Sequence, residues 1–172
     1  MRVYVACLAS YNNGVLHGRW IEATADVDEM MGEVRAMLAE SPVPDAEEWA
    51  IHDTEGLPNT IGEFSGLEPV AAFVELVGEY GWLNEDDIAE IVSDFGGVEE
   101  ARDRLKDGFC GVYDSFRDYS DEHADEIIGA HASHDRFNLL AAYFDYDAFA
   151  RDLRMNMHVI ELRGGRVAIF HT

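Results

Sequence analysis

From Ala36 to Ala101 the chain has neither lysine nor arginine, while the same 66 residues carry 17 aspartates and glutamates. Any structure built from this stretch folds against like-charge repulsion. Packing must overcome that repulsion. A long one-signed segment in an otherwise well-patterned chain also points to a use for the charge. Three uses follow: repelling acidic molecules, holding cations, or presenting carboxylates where a partner expects phosphates.

Composition narrows the class. A length of 172 residues suits one medium domain or two to three small lobes. With 48% hydrophobic and 11% aromatic residues the chain has ample material for a core, so only the charge half of the disorder signature is present. The formal charge of -23 argues against direct nucleic-acid binding, because phosphates would be repelled. Cys7 and Cys110 are too few for a disulfide scaffold and read as reduced, buried thiols. The N-terminus, Met1-Arg2-Val3-Tyr4, is strand-like without a signal-peptide pattern, and no apolar run approaches a membrane span. A soluble, cytoplasmic protein without membrane association is the expectation. Lys106 is the only lysine; the other eleven bases are arginines. High acid with almost no lysine also fits adaptation to high salt, although halophilic surfaces spread acid widely and this chain concentrates its bases at the two ends.

The pattern predicts an α+β chain with mixed lobes at both ends and a helical middle. Val3–Ala9 and Gly18–Ala23 read as strands joined at the turn signal Tyr11-Asn12-Asn13-Gly14. Asp26 caps a helix, with Glu29 at the capping-box position and Met30, Val34, Met37 and Leu38 on its apolar face. Ser41-Pro42-Val43-Pro44 stops it, and Trp49–Asp53 forms a third strand. This is a ββαβ lobe over residues 1–60. Residues 61–108 read as three acidic helices. The first opens at Leu67-Glu68-Pro69 and buries Val70, Phe73, Val74 and Val77. The second is capped by Asn84 and buries Ile88, Ile91 and Val92; Gly96-Gly97 breaks it. The third runs from Val98 to Lys106, with Ala101 and Leu105 inward. Over 109–172 a second mixed lobe is expected, with apolar anchors at Val112, Phe116 and Tyr119. Its helices are Asp121–Ala130 and Asp147–Met155, and a terminal hairpin lies around Gly164-Gly165.

The acids form one pattern. Asp86, Asp87, Glu90 and Asp94 lie on one predicted helix, and Glu99, Glu100, Asp103 and Asp107 on the next; Asp114, Asp118, Asp121, Glu122, Asp125 and Glu126 follow. Asp86, Glu90 and Asp94 recur every four residues and share a face, at a cost of about 0.2–0.5 kcal/mol per like-charge pair. Carboxylates one turn apart are spaced roughly 5–6 Å, the same order as phosphates along a DNA strand. A solvated acidic face without a partner is the plainer alternative. His131 and His134, beside Asp135, have the spacing of a cation pair but no distant third ligand. No Walker A loop, GxSxG or HExxH is present, and no carboxylate pair is singled out as catalytic. Trp20, Trp49, Trp82, Phe109, Tyr113, Tyr143 and Phe144 are expected in small cores.

Several stretches resemble the ArdA antirestriction family. VYVACLASYNNGVLHGRWIEA is similar to the family's opening, EEWAIHDTEG to its third strand, and DFGGVEEARDRLKDGFCGVYDSFRDYSDEHADE, Asp94 to Glu126, to the central region that includes the antirestriction motif. YFDYDAFARDL before a hairpin also fits, so the resemblance covers nearly the whole chain in order. It implies an elongated, dimeric mimic of bent B-form DNA built from three small domains in a row. Such a mimic occupies the DNA-binding groove of type I restriction-modification enzymes and protects incoming mobile DNA. Neither catalytic residue nor cofactor nor metal is implied. The acids named above carry over as a class, and Phe95, Gly96, Gly97 and Val98 as a structural or dimer-contact element. Arg102, Arg104 and Lys106 do not suit phosphate imitation and are expected in intramolecular or cross-dimer ion pairs. A dimer would carry twice the monomer charge, equal to about 23 bp or roughly 78 Å of duplex. A salt-adapted or cation-binding acidic protein and a carboxylate-dependent hydrolase are the alternatives.

Overall fold

In the computed structural model residues 1–131 and 143–172 are described. They form seven helices and two three-stranded antiparallel sheets. The chain divides into two compact units, Met1–Arg102 and Asp103–Thr172.

The first unit opens on a sheet in the order β2-β1-β3, from β1 (Arg2–Cys7), β2 (Gly18–Glu22) and β3 (Trp49–Glu55). Val3, Val5 and Ile21 are buried in it. Helix α2 (Val27–Ala39) packs on β1 and β2 and buries Met30, Val34 and Met37 at the predicted spacing, with Leu38 half-buried. The Asp26 carboxylate accepts from the backbone N–H groups of Asp28 and Glu29, which fixes where α2 begins.

The β1–β2 connection corrects the expected tight hairpin. β1 ends at Cys7, and Leu8–Asn12 forms a short helix, α1. The Leu8 N–H donates to the Glu48 carbonyl, and the Ser10 N–H to the Cys7 sulfur, so the chain leaves the ladder one turn early. Asn13-Gly14 follows that helix, with Gly14 at φ +76°, rather than sitting at the centre of a two-residue turn. The strands still pair antiparallel, from Arg2↔Glu22 to Ala6↔Gly18.

Three helices follow: α3 (Glu68–Glu79), α4 (Glu85–Phe95) and α5 (Val98–Asp107). α3 buries Val70, Ala71, Phe73 and Leu76, whereas Val74 and Val77 are half-buried. The inward stripe is therefore rotated from the expected one, because Leu76 completes the i, i+3, i+6 edge begun by Val70 and Phe73. α4 is capped by the Asn84 side chain, which accepts from the Asp86 N–H, and ends at Gly96 in the left-handed conformation, φ +82°.

The second unit carries a sheet in the order β4-β6-β5, from β4 (Phe109–Tyr113), β5 (Met157–Glu161) and β6 (Val167–His171). The β5–β6 hairpin around Gly164-Gly165 matches expectation. β4 goes beyond the sequence reading: residues 109–113 form an edge strand on β6, with Gly111 at φ +140° beside a register shift. Helix α6 (Phe116–His131) starts five residues earlier than read, and α7 (Tyr146–Arg154) packs against it. Tyr119, Met157, Val167 and Ile169 form the core, with Cys110, Tyr113, Phe116 and Leu153 against it. Cys7 is thus buried, but Cys110 only half so.

The predicted core aromatics are also corrected in part. Trp82 and Tyr143 are 69% and 84% exposed. Trp20 sits at the surface, with the Arg2 guanidinium 4.6 Å over its ring and Tyr4 edge-on.

Two outcomes follow for urea unfolding of the chain. Phe73→Ala should cost about 3–5 kcal/mol, and Val77→Ala distinctly less, because only Phe73 lies in the closed part of the core. Gly96→Ala should cost about 1 kcal/mol and Gly96→Asn less, since an added Cβ meets nothing within 4 Å and only the backbone conformation opposes it.

Candidate partner-binding surface

Buried residues decide which acids face outward. On α4 the fully buried Ile88, Ile91 and Val92 set the inner side. Asp86 and Asp94 are exposed and Glu90 half-exposed on the other, giving a row at four-residue spacing. Asp87 lies on the inner side, only 2% exposed. It belongs to the first turn of α4, where the positive end of the helix favours an anion.

On α5 the buried Val98, Ala101 and Leu105 leave Glu99, Glu100, Asp103 and Asp107 exposed. Glu99, Asp103 and Asp107 again repeat every four residues, about 6 Å apart along the axis. Asp114 is exposed before α6. On α6 the buried Tyr119, Ser120 and Ala124 turn Asp118, Glu122 and Glu126 outward in a third such row, with Asp125 exposed and Asp121 half-buried beside it. Rows of one kind thus occur on three helices. Asp118 also accepts from the Ser115 hydroxyl at 2.6 Å, and Asp125 from the Tyr146 hydroxyl at 2.6 Å, which holds the Tyr146 phenol above its ordinary pKa.

Arginines join one element to acids of another. Arg19 of β2 reaches Glu40 at 2.7 Å and Glu33 at 3.3 Å. Arg117 of α6 holds Asp121 at 2.8 Å and also pairs with Asp147 of α7; those two hydrogen bonds raise its pKa further. Arg102 of α5 makes intramolecular ion pairs, as expected of it: Glu99 at 2.8 Å, Glu79 at 3.4 Å and Glu75 at 3.9 Å. Glu75 and Glu79 go beyond the acids singled out from the sequence, although their four-residue spacing is the same signal.

Phe95, Gly96, Gly97 and Val98 span the end of α4 and the start of α5. The two glycines, Val98, Ala72 and Pro69 line an open cleft of about 380 Å³, and a Cβ on either glycine would meet nothing.

Among the described residues no three His, Cys, Asp or Glu side chains are grouped to hold a metal ion. The side chains of His131, His134 and Asp135 lie outside those described. No described helix is long and apolar enough to cross a membrane.

Comparison with curated proteins found no match. A family model described as antirestriction protein (ArdA) matches residues 3–168. It takes in every acidic row described above and reaches into both sheets, and so the chain belongs to the ArdA antirestriction protein family.

Proposed function

We propose that this protein blocks type I restriction-modification enzymes by occupying their DNA-binding groove as a mimic of duplex DNA. It would thereby protect incoming mobile DNA. The observation that carries the reading is the set of carboxylate rows one turn apart on α4, α5 and α6. Their spacing of about 6 Å is of the order of the phosphate spacing on one DNA strand. Membership of an antirestriction family supports the class of target. The exposed acids of the three rows are the contact surface, with Glu90 and Asp121 at its margin; Asp87 serves the fold. The inhibitor needs no catalytic group and acts in the cytoplasm, where the restriction enzyme meets its DNA.

The same reading divides the chain at 1–60, 61–108 and 109–172, which keeps each sheet and the α3–α5 helices whole. It also makes the protein a homodimer, with Phe95–Val98 at the contact. The open apolar cleft beside Gly96-Gly97 supports that placement.

Three measurements test the proposal. Purified protein should displace labelled duplex from a type I restriction-modification enzyme, with apparent affinity falling about tenfold or more between 50 and 200 mM salt. Absence of displacement at low salt would rule the function out. Asp94→Asn should weaken displacement only about 1.4- to 5-fold, the range for one exposed ion pair among many. Complete loss with the fold intact would instead mark a single essential carboxylate, as a hydrolase requires. Gly97→Arg should shift sedimentation from dimer toward monomer without changing helix content; an unchanged dimer would move the contact elsewhere.

A further inference from the structure

Arg102 gathers three carboxylates from two helices. Its Nη1 donates to Glu99 Oε1 at 2.8 Å, its Nε lies 3.4 Å from Glu79 Oε2, and its Nη2 lies 3.9 Å from Glu75 Oε2. Nη2 also donates to the Ala72 carbonyl at 3.4 Å, which ties the guanidinium to the α3 backbone. The arginine side chain is 24% exposed, whereas the three carboxylates are 49–78% exposed. The cation thus lies beneath and the acids stand above it.

One positive charge cannot neutralise three negative ones, so the cluster keeps a formal charge of -2. Two hydrogen bonds, to Glu99 and to the Ala72 carbonyl, fix the planar guanidinium, while Glu79 and Glu75 lie at ion-pair distance and are drawn to it by charge. Glu75 and Glu79 stand one turn apart on α3, and Glu99 begins the row on α5. The shared arginine therefore draws a pair of acids on one helix toward the row on another.

The geometry points to Arg102 as a positioning residue, and to Glu75, Glu79 and Glu99 as one partner-facing cluster that fits a cationic DNA-binding groove. This rests on the mimic function proposed above. It extends the contact surface onto α3 and gives a base a positive role in it. The competing account, that Arg102 only cancels charge, predicts the opposite sign. Removing a positive charge would then make the surface a better imitation of phosphates.

The test compares wild type, Arg102→Gln, Arg102→Lys and the double change Glu75→Gln with Glu79→Gln. Each is assayed for displacement of labelled duplex from a type I restriction-modification enzyme at one fixed salt concentration, and for thermal melting across a salt series without the enzyme. Arg102→Gln should weaken displacement about three- to tenfold despite its extra negative charge, and Arg102→Lys should recover only part of that loss. The double change retains Arg102 and should weaken displacement about two- to tenfold, which keeps the test open if Arg102→Gln folds poorly. At low salt Arg102→Gln should melt below wild type, and the gap should close as salt screens the carboxylates. Folded Arg102→Gln that displaces duplex as well as wild type overturns the proposal. Full recovery by Arg102→Lys, or a double change without effect, does the same. A melting gap independent of salt overturns the clamp itself. Failure of wild type to displace duplex removes the mimic function and the partner-facing role together, while the melting series still reads the clamp.

Discussion

Burial of one apolar face on each helix is what allows acids to crowd the other. On α4, Ile88, Ile91 and Val92 are fully buried. Each contributes about 1.5–3 kcal/mol on leaving water. The Asp86–Glu90 and Glu90–Asp94 pairs oppose the helix by about 0.2–0.5 kcal/mol each. Burial wins severalfold, and the Asn84 cap and the left-handed Gly96 close both ends of the helix. Because the buried side also dictates the outward side, the core is what aligns the acids into rows.

Positive charge is used differently from negative charge. Arg19, Arg102 and Arg117 each reach from one element to acids on at least one other. These arginines act as ties between elements that would otherwise repel. Pairs this exposed contribute little stability one by one. Their shared effect is geometric, since a forked guanidinium constrains where its partners point.

Much of this was legible because caps and periodicity are local signals. Asp26 and Asn84 begin their helices where the sequence places them, and Ile88, Ile91, Val92, Ala101 and Leu105 face inward as their spacing requires. The family resemblance was likewise carried by contiguous stretches. What escaped depends on distant partners. α1 forms because Leu8 finds Glu48 across the sheet, and β4 forms because β6 offers it an edge. Asp87 looks like its neighbours in a list of acids, yet its place on the helix turns it inward. Leu76 and Val77 are adjacent and equally apolar, so only packing decides which is buried. Trp82 has a core residue's composition and a surface residue's position.

The Arg102 clamp has a thermodynamic consequence for the proposed imitation of nucleic acid. A DNA duplex holds its neutralising cations as a mobile cloud and gains entropy when a protein sets them free. Arg102 is a counterion sewn into the chain, and it stays when a partner arrives. In the proposed complex that part of the charge balance releases nothing to solution. Carboxylate for phosphate, the proposed mimic would draw less of its affinity from liberated ions and more from a surface ordered before the encounter.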